Sequence, residues 1–487
     1  MLYDLLIIGG GVNGCAIARD AAGRGLSVRL VEQNDLASGT SSASTKLIHG
    51  GLRYLELYEF RLVHEALAER ELLLAAAPHI IWPLKFVLPH EKGLRPVWML
   101  RLGLFLYDHL ARRKRLEGSH MVSLKGNALG APLRNSYSVG FTYADCWVED
   151  SRLVVLNALD AKERGAAISV GTRLTQARRK GEHWVATLEG GAQIEARALV
   201  NGAGPWVSDV IEGALHVHSR KHVRLVKGSH LVTRKLFEGE QAYILQNPDG
   251  RIVFAIPYER DFTLIGTTDV PYEGEPGPVA ISEAETDYLL GSINHFLRRP
   301  VARGDIVWSY AGLRPLYDDG ALKASTITRD YAFDLDAPEE GAPVLSIFGG
   351  KITTARRLAE HALDELRRFL PAHGEAWTEA AALPGGEMDS FEEYLVALKA
   401  SKPFLGDALA LRLARAYGTR AQLWLKGARS MDDLGRDFGS GLTEAELRYL
   451  VENEWARTAD DVLWRRSKLG LHMSAEQQAA LRDHMDG

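Results

Sequence analysis

The sequence predicts an α/β protein in three parts: a parallel sheet with crossover helices, an antiparallel sheet inserted into it, and a helical C-terminal region. Three observations predict it. Tyr3-Asp-Leu-Leu-Ile-Ile8 is a short apolar run suited to a buried strand; a glycine turn and a helical stretch separate it from a second run, Ser27–Val31. Tyr243-Ile-Leu-Gln246 and Arg251–Tyr258 flank Asn247-Pro-Asp-Gly250, a strong hairpin signal. Beyond Pro384-Gly-Gly386, apolar residues recur at helical spacing, at Leu409, Leu413 and Tyr417 and at Leu447, Leu450, Val451 and Trp455.

Each part can be traced along the chain. The βαβ start breaks its helix at Gly23-Arg-Gly25 and implies a right-handed crossover between parallel strands. Phe262–Gly266 supplies a third antiparallel strand after the hairpin. The first sheet is expected to resume at Ala198–Asn201 and again at Pro343–Phe348.

Composition narrows the class. At 487 residues the chain has room for two or three domains, and 46% hydrophobic with 25% charged residues is ordinary for a globular protein. A net charge of −5 gives no bulk reason to expect nucleic acid. Two cysteines, Cys15 and Cys146, cannot form a disulfide framework, and no Cys/His cluster suggests a metal, so a reducing compartment is expected. The strand-like start does not read as a signal peptide. No run approaches the roughly 18 uninterrupted apolar residues of a spanning helix.

Gly9-Gly-Gly-Val-Asn-Gly14 fits GxGxxG at Gly9, Gly11 and Gly14. The first glycine makes a tight turn, the second lets backbone approach a pyrophosphate, and the third lets helix and strand pack closely. The helix start then offers free N–H groups and a positive dipole to phosphates. Glu32 ends the second strand, where a carboxylate accepts hydrogen bonds from an adenosine ribose. The whole pattern in register reads as a dinucleotide site.

Later segments point to FAD rather than NAD. Ser38–Arg53 is rich in small hydroxyl residues, and Thr40, Ser41, Ser44, Lys46 and His49 are its candidates for wrapping an extended cofactor. Asn201-Gly-Ala-Gly204 is a second glycine turn, with Gly204 the candidate contact. Val344–Phe348 reads as a strand, Gly349-Gly350 as a turn and Thr353 onward as a helix. That helix start, with Gly350, Lys351 and Thr353, suits the negative charge of a reduced flavin.

Taken together, Thr45-Lys-Leu-Ile-His-Gly-Gly-Leu-Arg-Tyr-Leu55, Lys227-Gly-Ser-His230, Ile265-Gly-Thr-Thr-Asp269, Gly312-Leu-Arg-Pro315, Ile327-Thr-Arg-Asp330, Phe348–Thr353 and Asn453–Trp464 resemble the aerobic, FAD-dependent glycerol-3-phosphate dehydrogenases, in order along nearly the whole chain. The resemblance implies oxidation of sn-glycerol 3-phosphate to dihydroxyacetone phosphate, with electrons passed through FAD to ubiquinone or menaquinone. It implies a glutathione-reductase-type FAD domain over 1–75, 148–225 and 320–383, a substrate domain over 76–147 and 226–319, and a helical domain over 384–487. It further implies non-covalent FAD, so that His49 only shapes the flavin pocket, a homodimer, and a peripheral position on the cytoplasmic face of the inner membrane.

Positions matching the family suggest Arg53, Tyr54, Arg329 and Lys351 for substrate binding, with His230 and Arg314 at the reacting end. A dianionic phosphate suits arginines able to make paired, charge-assisted hydrogen bonds. Oxidation at C2 also requires the hydroxyl proton to leave, and His230 is a reasonable base at neutral pH, with an arginine or a bound water as alternatives. Residues 95–115 combine an apolar, Trp-bearing stretch with Arg112-Arg-Lys-Arg115, which suits contact with anionic lipid; a buried helix with a basic end is the other reading. A soluble oxidase using oxygen and a non-catalytic FAD scaffold are the rival functions.

Overall fold

A computed structural model describes residues 1–52, 55, 58–91, 96–318 and 330–487. Among these, eight strands form a first sheet whose spine runs Tyr331–Asp336, Val344–Gly349, Gln193–Asn201, Leu2–Ile8, Val28–Val31 and Ala167–Ser169. Leu2–Ile8 is central and pairs in parallel on both sides. That position explains its sequence: Leu5 to Ile8 have no face to offer solvent, so all four are apolar. Tyr331–Asp336 is an antiparallel edge, and the hairpin of Leu174–Lys180 and His183–Leu188 joins beside Gln193–Ala196. Helices Val12–Gly23, Asp150–Glu163 and Ala355–Leu366 cover one face through Ile17, Val154 and Leu358. Trp184, Leu199 and Leu215 fill the other. The sheet resumes at both places the sequence indicates.

Among the described residues, ten strands form the second sheet. Its path is Val270–Pro271, Val223–Arg234, Phe262–Gly266, Ile252–Tyr258, Ala242–Gln246, Ile81–Pro89, Val139–Val148 and Leu47–Ile48, with Ile306–Tyr317 paired to Val223–Arg234 and His120–Ser123 to Val139–Val148. The predicted hairpin forms with Tyr243 opposite Ala255 and Gln246 opposite Ile252, and Gly250 supplies the left-handed turn residue at φ +80°. Pairing is antiparallel except where Ala242–Gln246 runs beside Ile81–Pro89. Leu47–Ile48, within the hydroxyl-rich run, pairs with Trp147 and Cys146 of this second sheet. The hydroxyl-rich run therefore crosses from one sheet to the other.

The C-terminal region is helical, as expected. Phe391–Ser401, Glu444–Glu454 and Ala475–Asp486 each begin at a side-chain cap, with Ser390, Thr443 and Ser474 accepting from the backbone N–H of Glu393, Glu446 and Gln477. Leu413, Tyr417, Leu447 and Leu450 share a separate core. Two of the residues in that spacing behave differently. Val451 faces solvent, and Trp455 ends the helix at φ +58° and packs against the core of the first sheet. Buried ion pairs dock this region: Arg152 grips Glu454 with both Nη1 and Nη2, and Arg466 meets Asp35 at 2.7 Å.

Candidate active site

A cavity of about 600 Å³ lies where the two sheets meet. Its first end is the glycine turn. Gly9 sits at φ +109°, and a Cβ on Gly14 would lie 2.0 Å from the Gly9 carbonyl oxygen, so helix and strand touch there backbone to backbone. Gly9 and Gly11 line the cavity; Gly14 packs behind them. Glu32 also lines it, its Oε2 accepting from Gly10 N–H at 2.7 Å and its Oε1 from Asn34 N–H at 2.8 Å. Burial raises the Glu32 pKa above the ordinary value for a glutamate.

The hydroxyl-rich run closes over this turn. Ser41 Oγ accepts from Val12 N–H at 3.0 Å, which caps the helix and leaves the hydroxyl proton to donate elsewhere. Thr40 donates to the Leu313 carbonyl and Ser44 Oγ to Asp150 Oδ2 at 2.8 Å; all three line the cavity. Lys46 does not. Its backbone turns at φ +60°, and its wholly buried ammonium pairs with Asp150 Oδ1 at 2.7 Å, away from the cofactor position expected for it.

Gly204, His49, Gly350, Lys351 and Thr353 also line the cavity. Thr353 Oγ1 accepts from the His49 backbone N–H at 3.3 Å, joining the late turn to the hydroxyl run. Burial lowers the His49 pKa, Asp145 opposes that shift, and Lys351 and Arg70 add to it. Gly349 and Gly350 both take positive φ, and a Cβ on Gly350 would lie 3.0 Å from Asn13 Nδ2. Asn13 Nδ2 donates to the Gly349 carbonyl at 3.3 Å, while its buried Oδ1 has no partner among the described residues.

These groups fit FAD. The glycine walls leave the space that a pyrophosphate needs, Glu32 retains lone pairs for a ribose, and Asn13 Oδ1 is a buried acceptor lacking a donor. FAD bound here would supply a hydride acceptor for the substrate carbon.

Cationic groups gather at another part of the wall. Arg314 is ion-paired to Asp269, and its Nη2 donates to Thr267 Oγ1 at 2.6 Å; Arg314, Asp269, Thr267 and Lys351 all line the cavity. A Cβ on Gly228 would lie 2.1 Å from Arg314 Nη2, so glycine lets the guanidinium lie flat on the neighbouring strand. His230 stands behind the wall: it is 1% exposed and contacts Thr45, which lines the cavity. Burial, reinforced by Arg314 and Lys46, holds its pKa well below the ordinary histidine value. The candidates Arg53, Tyr54 and Arg329 lie outside the described residues.

Among the lining residues to which the sequence reading gives no role are Asn13, Thr45, Asp269 and Asp145. Asn13 was an unspecified position of the fingerprint, and Thr45 and Asp269 sat within motifs without a role. Asp145 carried no signal. It lines the cavity as the buried acceptor of Tyr107 OH at 2.8 Å and of Arg70, and Tyr107 OH in turn accepts from Gly50 N–H at 2.9 Å.

A family model described as FAD dependent oxidoreductase matches residues 4–356, and one described as C-terminal domain of alpha-glycerophosphate oxidase matches residues 376–486. The chain is 54% identical to a glycerol-3-phosphate dehydrogenase of Pseudomonas aeruginosa, covering 99% of this chain and 95% of that one. It is 50% identical to a D-erythritol 1-phosphate dehydrogenase of Brucella abortus, covering 99% and 97%. The solved glycerol-3-phosphate dehydrogenase of Bacillus halodurans complexed with FAD superposes with a TM-score of 0.75 at 27% identity, over all of this chain and 94% of that one. With this fold, this cavity and this similarity along its length, the chain belongs to the FAD-dependent glycerol-3-phosphate dehydrogenases, within the wider FAD-dependent oxidoreductases.

Proposed function

We propose that the chain oxidises sn-glycerol 3-phosphate at C2 to dihydroxyacetone phosphate, using non-covalently bound FAD, and passes the electrons to a membrane quinone, ubiquinone or menaquinone. One observation carries the reading: the dinucleotide turn and the cationic wall of Arg314 and Lys351 share a single cavity. In this reading the spans 1–75, 148–225 and 320–383 hold FAD, and 76–147 with 226–319 form the substrate roof. Arg314 faces the C2 oxygen, where its charge favours loss of the hydroxyl proton, and Lys351, with Arg53, Tyr54 and Arg329, takes the phosphate.

The same reading seats the chain, as a homodimer, on the cytoplasmic face of the inner membrane. No described helix is long and apolar enough to cross a membrane. Support for surface contact comes from the helix Val97–His109, which buries Leu104 and Tyr107 but exposes Trp98, Met99, Leu102 and Phe105. An apolar face of this kind beside exposed Arg112, Lys114 and Arg115 suits an anionic lipid surface.

Anaerobic mixing with substrate tests the reaction. Glycerol 3-phosphate should bleach the yellow flavin absorbance, whereas lactate and sarcosine should leave it unchanged. D-erythritol 1-phosphate is the informative competitor, given the similarity to a dehydrogenase of that name. Faster bleaching by it than by glycerol 3-phosphate would reassign the substrate. Quinone-dependent turnover without hydrogen peroxide separates a dehydrogenase from an oxidase.

A further inference from the structure

His230 is held behind the cavity wall. Its ring stacks on Tyr310 with centroids 4.6 Å apart and planes 16° apart. On the neighbouring strand Gly266 lies directly opposite, and a Cβ there would fall 2.1 Å from His230 Cδ2. Clamped this way, the imidazole has one edge toward the site. That edge meets Thr45: Nε2 lies 2.9 Å from Thr45 Oγ1, and Thr45 lines the cavity. Nδ1 is buried without a hydrogen-bond partner among the described residues.

We propose that Thr45 is the group that meets the C2 hydroxyl of the substrate, and that it relays the hydroxyl proton to His230. The proposal rests on the oxidation proposed above. The substrate O–H bond breaks as its proton moves to Thr45 Oγ1, while Thr45's own proton crosses the 2.9 Å bond to His230 Nε2. The C2–O bond becomes a carbonyl, and the C2–H electron pair leaves with its hydrogen as hydride to the flavin. Two protons move, and one ends on the imidazole.

The charges around the ring fit a relay that works only with substrate present. Burial first, then Arg314 and Lys46, disfavour the imidazolium; Asp269 and Asp150 pair those two cations, and Tyr310 and Gly266 add no charge of their own. A bound phosphate dianion brings a compensating charge. Burial keeps the histidine neutral, and the relay requires the tautomer with its proton on Nδ1, which leaves Nε2 to accept from Thr45.

The test uses the flavin-loaded enzyme with Thr45→Val, Thr45→Ser and His230→Gln. Stopped-flow flavin reduction should slow about 100-fold or more in Thr45→Val and His230→Gln, the range for loss of one acid–base group, and Thr45→Ser should restore most of that loss. Flavin content and calorimetric affinity for dihydroxyacetone phosphate should stay within about threefold in all of them, since the relay acts on the proton and not on binding. A proton inventory in mixed light and heavy water should curve in the parent enzyme, reporting two protons in flight. Thr45→Val reducing flavin at the parent rate while His230→Gln does not would overturn the relay in favour of direct abstraction. So would Thr45→Ser as slow as Thr45→Val, a linear inventory, or product affinity lost in proportion to rate. Failure of the parent enzyme to bleach with any phosphorylated polyol would instead sink the proposed function itself.

Discussion

The Lys46 ammonium and Asp150 Oδ1 lie 2.7 Å apart with both side chains wholly buried. Asp150 also accepts from the Ser44 hydroxyl, and Lys46 donates to the Ser42 carbonyl at 3.1 Å. The pair thus fixes the hydroxyl-rich run from behind. Asp150→Ala strands a buried ammonium and should destabilise the protein by about 3–5 kcal/mol. Chemical denaturation, followed by tryptophan fluorescence, measures this. The double variant Lys46→Met, Asp150→Leu removes both charges and should recover much of the loss.

Gly14 and Gly291 predict opposite outcomes for one substitution. In Gly14→Ala the new methyl would meet the Gly9 carbonyl oxygen at 2.0 Å, which forces the helix off the strand. The variant should purify with little FAD, read as the ratio of flavin to protein absorbance. Gly291 lies exposed in the helix Glu283–Phe296 with nothing within 4 Å of an added Cβ. Gly291→Ala should keep its FAD and gain about 0.5–1 kcal/mol from helix propensity.

Arg314→Ala removes a cation that faces the cavity, together with its ion pair to Asp269. Loss of one preorganised donor typically lowers kcat by about 100- to 1000-fold, and that range is expected for flavin reduction by glycerol 3-phosphate. FAD content should not change. Arg314→Lys should recover little, because a single ammonium cannot serve Asp269, Thr267 and a substrate oxygen with one planar fork.

Much of this architecture was legible because local chemistry decided it. Gly9, Gly11, Gly14 and Glu32 are constrained by backbone geometry within 32 residues, so their spacing carries the answer. The caps at Ser390, Thr443 and Ser474 are equally local. Contacts set by distant partners were not legible. The motif containing Lys46 suggested a cofactor contact, yet whether its ammonium faces the cavity or Asp150 is decided by a residue 104 positions away. Leu47–Ile48 is too short for its periodicity to assign a sheet, and Trp147 and Cys146 assign it. His230 stood in a family motif, but its place behind Thr45 depends on Tyr310 and Gly266, which reach it only through strand pairing.

Glu285 predicts a signature in acid. Burial opposes its ionisation, but Lys227 at 2.8 Å and hydrogen bonds from Ser282 and Ser229 prevail and hold its pKa down at about 2. A carboxylate with a depressed folded-state pKa contributes stability that is present above its unfolded value, about 4.5, and is lost as pH falls toward 2. The contribution is on the order of 3 kcal/mol. Between pH 5 and pH 3, a range of about two units, the unfolding free energy from denaturation curves should fall more steeply with falling pH in the parent than in Glu285→Gln, which has no proton to take up there. Equal slopes in the two proteins would remove Glu285 as the cause.

The helix Val97–His109 makes the membrane proposal separable into two forces. Its exposed face carries Trp98 and Phe105, and the chain after it carries exposed Arg112, Lys114 and Arg115. Each cation near an anionic surface contributes about 1 kcal/mol, so Arg112→Ala, Lys114→Ala and Arg115→Ala together should weaken binding by roughly 100-fold. That loss should appear in flotation with vesicles containing phosphatidylglycerol and vanish with neutral phosphatidylcholine. Trp98→Ala with Phe105→Ala should weaken binding to both, because burying apolar surface does not depend on lipid charge. Tyr107 ties the buried side of this helix to the site: its hydroxyl donates to Asp145 and accepts from Gly50 N–H, beside His49. Tyr107→Phe leaves that N–H unsatisfied and should slow flavin reduction while vesicle binding stays unchanged, which places its effect at the flavin loop and not at the lipid.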